Sequence, residues 1–150
     1  MSIRWGIIGC GRIADKWMAP AIRAVEGSEL IAVFSRDLCK AQAFAGRHGA
    51  RRAYSDFDAF LDDPDLEVVY IATTNNVHAK QTIRCAKAGK HVLCEKPMAT
   101  SITEAEHMIV ACREAGVRLA LNYHMRAFPS NGLARQYILE GGIGQPQVAR

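Results

Sequence analysis

Several kinds of motif are absent from this sequence of 150 residues. Its five cysteines include no Cys-x-x-Cys pair, so neither a zinc site nor a redox motif of that type is indicated. No apolar run approaches the length of a membrane span, and no charged segment followed by an apolar core opens the chain. These absences predict a reducing, cytoplasmic location, with most cysteines packed as small hydrophobic side chains.

Concentrated charge of one sign is also scarce. The net charge is only +4, and no Lys/Arg-rich run or basic and aromatic stripe occurs. We therefore expect neither a nucleic-acid partner nor a membrane partner. Hydrophobic residues make up 49% of the chain and charged residues 23%, which is typical of one globular domain with a substantial core.

One acidic stretch lacks the spacing of a metal-binding loop. Its members are Asp56, Asp58, Asp62, Asp63 and Asp65. A calcium loop would also require a glycine and a glutamate at fixed positions, and both are missing here. The sequence therefore predicts a solvated acidic loop and no metal site.

Short apolar runs alternate with helical patterns along most of the chain. The predicted strands span 4–8, 29–35, 51–54, 67–73, 91–95 and 117–123. The predicted helices span 13–26, 38 to about 48, 77–88, 101–115 and 128–142, with a short helical turn in 56–65. Pro20 should kink or shorten the first helix, Asp37 should cap the second, and Thr100 or Ser101 should cap the fourth, over 101–115. This alternation predicts a doubly wound α/β fold with a parallel sheet covered on both faces.

The turn after the first strand is rich in glycine. Gly9 allows a tight turn, and Gly11 removes a side chain where the backbone would approach a pyrophosphate. Ala14 stands where a third glycine often lets the helix pack on the strand. The helix that begins near Arg12 would direct free N–H groups at the phosphates. Because this motif follows a strand and opens a helix, it favours a dinucleotide site over a purely structural glycine turn.

The end of the second strand bears on the identity of the dinucleotide. An acidic residue there would accept hydrogen bonds from the adenosine ribose and repel a 2′-phosphate. This sequence has Ser35 and Arg36 instead, and arginine offers paired donors with a fixed charge. Asp37 follows directly, but its side chain is occupied if it caps the next helix. The sequence therefore favours NADP over NAD as the cofactor.

Three segments together resemble one known family. The segments "GIIGCGRIA", "ATTNNVHAKQTIRCAKAGKHVLCEKPMA" and "NYHMRAFP" are similar to the glucose–fructose oxidoreductase / inositol dehydrogenase (Gfo/Idh/MocA) family. The triplet Glu95-Lys96-Pro97 at a strand end is the most specific part, and the resemblance covers nearly the whole chain. It implies a Rossmann-type domain of an oxidoreductase that transfers hydride between nicotinamide and a sugar, polyol or related hydroxy compound.

The resemblance also implies roles for individual residues. The residues implied to bind the cofactor are Gly9, Gly11, Arg12, Ile13, Ser35, Arg36, Thr73, Asn75, His78, Glu95, Lys96 and Asn122. Lys96 would also reach the oxygen of the reacting carbon as a catalytic residue, and Tyr123 and Arg126 would lie beside the substrate. The bond before Pro97 is often cis in the family. Thr74 stands where many members have proline, which leaves the shape of that loop open.

Hydride transfer needs a base for the hydroxyl proton and a positive group for the developing alkoxide. Lys96 suits either task, although a surface charge is the alternative for a lysine that follows a strand. His78 also has an alternative, as a residue at a helix N-terminus bonded to a nearby carbonyl oxygen.

The resemblance further implies that two domains contribute to the enzyme. Residues 1–122 would form the dinucleotide-binding domain, and 123–150 would begin a second domain that supplies an aspartate and a histidine. No Asp-x-Gly-x-His-like segment occurs here, so we expect this chain alone to be inactive. Full-length family members would form homo-oligomers. The 128–142 helix would present Leu133, Tyr137 and Ile138 to a partner, and "QPQVAR" would be a strand stub.

Two other functions remain open from the sequence. The chain could be a catalytically inactive dinucleotide-binding or redox-sensing module. Alternatively, the glycine turn could hold another adenosine ligand, such as S-adenosylmethionine. The Glu-Lys-Pro triplet favours the oxidoreductase interpretation over the methyltransferase one.

Overall fold

Six strands lie side by side in one parallel sheet. The computed structural model describes residues 2–145 and residue 147. The strands are β1 (Ile3–Ile8), β2 (Ser28–Phe34), β3 (Arg52–Tyr54), β4 (Val68–Ile71), β5 (His91–Cys94) and β6 (Leu119–Leu121). Their order across the sheet is β3-β2-β1-β4-β5-β6, and every neighbouring pair is parallel. The predicted doubly wound α/β fold is confirmed.

Helices connect consecutive strands. A π-helical turn (Ala14–Met18) leads directly into α1 (Ala19–Ala24), and the other helices are α2 (Leu38–His48), α3 (Phe57–Leu61), α4 (His78–Lys87), α5 (Ile102–Glu114) and α6 (Pro129–Leu139). Two 3₁₀ turns, Asn75–Val77 and His124–Ala127, precede α4 and α6. Within the described residues, no helix combines the length and apolar character needed to cross a membrane.

Pro20 lies in the first turn of α1, directly after the π-helical turn, and it has no backbone N–H to donate to the residues of that turn. The π-helical turn ends just before it, so the helical path changes its hydrogen-bond pattern at this point. The helix stops at Ala24, because Val25 is extended and Gly27 has a φ of +77°. The helix therefore ends two residues before its predicted end at Glu26.

Side-chain caps begin three of the helices. The Asp37 carboxylate accepts a hydrogen bond from the Lys40 N–H at 3.1 Å, as predicted for the start of α2. Asp56 caps α3 in the same way. Ser101, rather than Thr100, caps α5, because its hydroxyl oxygen accepts the Glu104 N–H at 3.2 Å.

The two faces of the sheet carry two separate apolar clusters. Ile7 and Tyr70 pair across β1 and β4 on the face that α1 and α2 cover. Ile8 and Ile71 pair on the opposite face, which packs against α3, α4 and α5. The central strands are buried on both faces, so their sequences are continuous apolar runs without alternation.

The acidic stretch is more ordered than the sequence predicts. The Asp63 side chain has no exposed surface and lies 2.9 Å from Nε of Arg52, and it also accepts a hydrogen bond from the Tyr54 hydroxyl. Asp65 pairs with the same arginine at 2.7 Å. The expectation of a wholly solvated loop is therefore wrong, because Arg52 on β3 holds these two carboxylates against the sheet.

The apolar face of α6 is exposed. Leu133 is 69% exposed, Tyr137 55% and Ile138 41%, in line with the apolar face expected from the sequence. The strand stub expected in "QPQVAR" lies mostly outside the described residues, which include only its two glutamines.

Candidate functional site

A cleft of about 440 Å³ opens at the carboxyl ends of the central strands. Its lining includes Gly9 after β1, Ser35 and Arg36 after β2, and Thr73 and Gln81 from the β4–α4 region. The chain reverses its direction of winding between β1 and β4, since β2 and β3 lie to one side and β5 and β6 to the other. Ligands of doubly wound sheets bind at such a reversal point.

The two glycines of the first turn meet different surroundings. Gly9 has a φ of +98°, and a Cβ on it would lie 2.8 Å from the Ala72 carbonyl oxygen. Its N–H donates to the Phe34 carbonyl at 3.0 Å, which joins the ends of β1 and β2. A Cβ on Gly11 would meet nothing within 4 Å. Gly9 is therefore required by the fold itself, whereas Gly11 leaves open space beside the turn.

The helix after the turn begins with unprotected backbone donors. Arg12 and Ile13 are both exposed, with Ile13 at 47%. The first N–H groups of a helix have no intrahelical acceptor, and they carry the positive end of its dipole. This helix start can therefore hold an anionic group.

An acidic side chain in the first turn of this helix is already paired with basic side chains of α2. Oδ1 of Asp15 accepts hydrogen bonds from Arg47 at 2.8 Å and lies 2.8 Å from Nε2 of His48. The hydrogen bonds with His48 and then Arg47 lower the pKa of Asp15 below its ordinary value. The carboxylate thus ties the helix to α2 and does not remain an unpaired anion beside the turn.

Cys10 lies inside the glycine turn. Its thiol is half-buried, with Sγ 3.8 Å from the Phe34 carbonyl oxygen. Burial raises the pKa of the thiol to about 11, so it remains protonated at neutral pH. A protonated thiol is a poor nucleophile, and the turn offers no support for redox sensing through this residue.

At the end of β2, Arg36 is exposed and forms no ion pair with any described residue. The neighbouring Asp37 is engaged as the cap of α2 and lies 3.8 Å from the Lys40 ammonium group. The Ser35 hydroxyl oxygen accepts the Asp37 N–H at 3.3 Å. The guanidinium at the cleft is therefore available to an anionic ligand.

The wall formed after β4 differs from the residue set expected there. Thr73 lines the cleft and its hydroxyl donates to Gln81 at 2.6 Å, whereas Asn75 is exposed and Asn76 takes the lining position. The Thr74 carbonyl accepts the Val77 N–H at 3.1 Å, so the loop closes into a 3₁₀ turn without a proline. The departure at Thr74 is thus compatible with an ordered loop.

His78 is fully buried and does not line the cleft. Its Nδ1 lies 2.9 Å from the Pro97 carbonyl oxygen, and its Nε2 lies 3.2 Å from the Thr73 carbonyl oxygen. The expectation that the ring forms part of the cofactor wall is corrected: the ring lies behind the wall and joins two site loops. A neutral imidazole donates to only one of these carbonyl groups at a time.

A second group of site residues gathers where β5 and β6 end. The Glu95 carboxylate is buried and accepts hydrogen bonds from the Asn122 amide at 2.7 Å and the Tyr70 hydroxyl at 2.5 Å. Lys96 follows at the surface, and the Lys96–Pro97 peptide bond is cis, as the resemblance implies. Glu95 and Asn122 therefore face one another, while the lysine faces solvent.

The expected substrate residues follow Asn122 along the chain and are exposed. Tyr123 is 53% exposed directly after β6, and Arg126 is exposed in the following 3₁₀ turn. Sequence reasoning missed Tyr70, although it is the only polar residue in the otherwise aliphatic run of β4. It also missed Asn76 and Gln81, for which the sequence offers no separate signal.

Comparison with known proteins agrees with this geometry. A family model described as an oxidoreductase family with an NAD-binding Rossmann fold, Gfo/Idh/MocA, matches residues 3–123. The 1,5-anhydro-D-fructose reductase of Ensifer adhaerens is 42% identical over 147 residues, which are 98% of this chain and 44% of that protein. The trans-1,2-dihydrobenzene-1,2-diol dehydrogenase of Mus musculus is 37% identical over 152 residues, covering 100% of this chain and 45% of that protein.

Solved structures show the same fold. KijD10, a 3-ketoreductase from Actinomadura kijaniata solved with NADP, is 34% identical with a TM-score of 0.91, over 97% of this chain and 46% of that one. The WlbA dehydrogenase from Bordetella pertussis, solved with NADH and UDP-GlcNAcA, is 34% identical with a TM-score of 0.85, over 96% and 41%. The chain therefore spans less than half the length of these relatives.

Proposed function

Because the chain belongs to the Gfo/Idh/MocA oxidoreductase family and has its NAD-binding Rossmann fold, we propose that it is the NADP(H)-binding part of a dehydrogenase or reductase. The reaction would transfer hydride between nicotinamide and the oxygen-bearing carbon of a sugar, polyol or related hydroxy compound. The observation that carries the proposal is the cleft at the β1, β2 and β4 ends. At its margin lies Arg36, which forms no ion pair within the part of the chain that the structure describes.

The glycine turn fits the pyrophosphate of a dinucleotide. The space beside Gly11 is open at the point where a side chain would otherwise project, next to the free N–H groups of Arg12 and Ile13. Two phosphates placed there would accept hydrogen bonds from these backbone groups and interact with the helix dipole. The same turn could not accommodate a side chain at Gly9, where a Cβ would lie 2.8 Å from the Ala72 carbonyl oxygen.

Ser35 and Arg36 fit the 2′-phosphate that distinguishes NADP from NAD. A guanidinium donates paired hydrogen bonds to phosphate oxygens, and the adjacent hydroxyl adds a further donor. Asp37 does not oppose this, because its carboxylate caps α2. Structural relatives have been solved with NADP and with NADH, so these relatives favour neither cofactor. The choice of NADP is supported by Ser35 and Arg36 themselves.

Lys96 is the residue we assign to catalysis. Nicotinamide, when bound, would supply or accept the hydride. In the reducing direction the Lys96 ammonium group would stabilise the negative charge developing on the substrate oxygen and donate a proton to it, and in the oxidising direction the neutral amine would accept the hydroxyl proton. Thr73 and Asn75 would border the nicotinamide side. Tyr123 and Arg126 would contact the substrate.

We also propose the domain division expected from the sequence. Residues 1–122 form the dinucleotide-binding unit, and 123–150 begin a second unit that completes the substrate site. The relatives are more than twice as long as the matched region, which supports the view that turnover requires further protein. This chain by itself is then expected to bind cofactor without catalysing the reaction.

Calorimetric titration of the chain with NADPH and with NADH tests the proposal. We expect NADPH to bind more tightly, and Arg36→Ala to remove most of that preference, a loss of about 1–3 kcal/mol for one charge-assisted contact. Arg23→Ala is the matched control, because Arg23 is exposed in the last turn of α1, at the other end of the sheet. Equal affinities for both nucleotides, or equal effects of both substitutions, would contradict the assignment.

A further inference from the structure

Tyr70 is fully buried in the middle of the sheet and places a hydroxyl where packing alone would favour phenylalanine. Its hydroxyl donates to Oε1 of Glu95 at 2.5 Å. Burial, together with this hydrogen bond, raises the pKa of Tyr70 far above its ordinary value, so the hydroxyl remains a donor at any pH the protein meets. Removing a hydroxyl and a carboxylate from water is costly, and an apolar pair would avoid that cost.

Glu95 is held by donors from three directions. The Tyr70 hydroxyl and the Asn122 amide both donate to Oε1, and the Lys96 N–H donates to Oε2 at 3.2 Å. The residue is 8% exposed, and no lysine or arginine in the described part of the chain forms an ion pair with it. Neutral donors therefore fix the orientation of a buried carboxylate, which leaves the Lys96 ammonium group free.

Beside these side-chain hydrogen bonds, backbone hydrogen bonds continue past the last paired residues of β4, β5 and β6. The Glu95 N–H donates to the Ile71 carbonyl at 3.0 Å, and the Asn122 N–H donates to the Cys94 carbonyl at 2.7 Å. Tyr70 thus joins β4 to the residue that directly precedes Lys96. On the other side of Lys96, the Pro97 carbonyl lies 2.9 Å from Nδ1 of His78. The backbone of Lys96 is consequently anchored at both neighbours.

We propose that Tyr70 is a positioning residue that acts through Glu95 to hold the backbone of Lys96 in the orientation that hydride transfer requires. Tyr70 itself contacts neither cofactor nor substrate. The proposal rests on the proposed function, because the role of Lys96 is assigned there. Surrounding hydrogen bonds that orient a reacting group affect activity strongly, because small displacements of that group lower the reaction rate.

The chain offers a matched control for the loss of a tyrosine hydroxyl. Tyr54 donates to the buried carboxylate of Asp63 at 3.0 Å, and that carboxylate lies in the loop leading to the amino end of β4. Tyr54→Phe and Tyr70→Phe therefore delete the same group from the same kind of bond. A purely structural role predicts similar effects of both changes, whereas a positioning role predicts an effect on Lys96 from Tyr70→Phe alone.

The experiment compares the isotope-labelled full chain with both variants by NMR and by lysine acetylation. In the absence of nucleotide, we expect Tyr70→Phe to displace the Lys96 backbone and Cε resonances well beyond their displacement in Tyr54→Phe. With saturating NADPH, we expect the protection of Lys96 from acetylation to fall about tenfold in Tyr70→Phe and to persist in Tyr54→Phe. Asn122→Ala removes the other donor to the same oxygen and should displace Lys96 likewise, even if Tyr70→Phe does not fold.

Unchanged Lys96 resonances in Tyr70→Phe and Asn122→Ala would overturn the proposal, as would equal Lys96 responses to Tyr70→Phe and Tyr54→Phe. Failure of NADPH to bind or protect the wild-type chain would instead refute the proposed function. In that case the nucleotide-free resonances still decide whether Tyr70 holds the Lys96 segment.

Discussion

At the scale of single residues, the two glycines of the first turn separate folding from binding. Gly9→Ala places a Cβ against the Ala72 carbonyl at a positive φ, so we expect a loss of about 2 kcal/mol or more in the free energy of unfolding. Gly11→Ala meets no protein atom and should leave that free energy within about 0.5 kcal/mol of wild type. Urea unfolding of the two variants measures this difference.

The same Gly11→Ala variant should bind NADPH at least about tenfold more weakly, because its methyl group enters the space assigned to the pyrophosphate. Calorimetry at a temperature where the variant is fully folded provides the comparison. Wild-type affinity in Gly11→Ala would show that the phosphates lie elsewhere.

Some site residues could be predicted from the sequence because the residues next to them along the chain mark a strand end or a helix start. Ser35 and Arg36 end a strand and precede a capped helix, so their place at the cleft follows from local pattern alone. Tyr70 and Glu95 are separated by 25 positions and meet only after β4 and β5 pair. The burial of His78 behind the wall of the cleft also depends on packing between two loops, which cannot be predicted from the spacing of apolar residues along the chain.

At the scale of elements, the cap of α5 provides a measurable contribution to stability. The Ser101 hydroxyl oxygen accepts the Glu104 N–H, and the Glu104 carboxylate accepts the Thr100 N–H at 2.9 Å. We expect Ser101→Ala to lower the free energy of unfolding by about 1 kcal/mol. Thr103→Ala deletes an exposed hydroxyl with no hydrogen-bond partner among the described residues. Urea denaturation should therefore show the loss in Ser101→Ala only, and equal stabilities of the two variants would exclude this cap.

Element types were predictable because burial imposes continuous apolar runs on the strands and glycines end the helices, as Gly49 and Gly89 do with φ near +72°. The ends of the helices and strands were harder to predict. The runs that predict β4 and β6 each extend two residues beyond the last paired residue, Ile71 and Leu121, since the following residues turn into the site. The choice of Ser101 over Thr100 as a cap depended on backbone geometry that both hydroxyl residues could adopt.

At the scale of the whole molecule, stability should decline in acid. The hydrogen bond from Arg4 lowers the pKa of Glu67 below 4.5, and the hydrogen bond from Arg52 lowers the pKa of Asp65 below 3.8. A carboxyl group with a lowered pKa in the folded state contributes stability above its ordinary pKa, and that contribution is lost as the pH falls through the folded value. We expect the free energy of unfolding to decrease steadily below pH 4.5.

Glu67→Gln should make that decrease shallower, because one of the groups that takes up a proton on unfolding is then removed. Urea unfolding at a series of pH values compares the two slopes. A free energy of unfolding that rises on acidification, or identical slopes in both proteins, would contradict the role of these carboxylates.

The central claim is that a dinucleotide occupies the cleft across the ends of β1, β2 and β4. Its most direct test is a map of backbone amide resonances during titration of the chain with NADPH. The account predicts that the largest shifts fall on Gly9 to Ile13, on Ser35 and Arg36, and on Thr73 to Asn76. Shifts confined to the opposite edge of the sheet, around Glu67 and His91, or no shifts at saturating nucleotide, would contradict it.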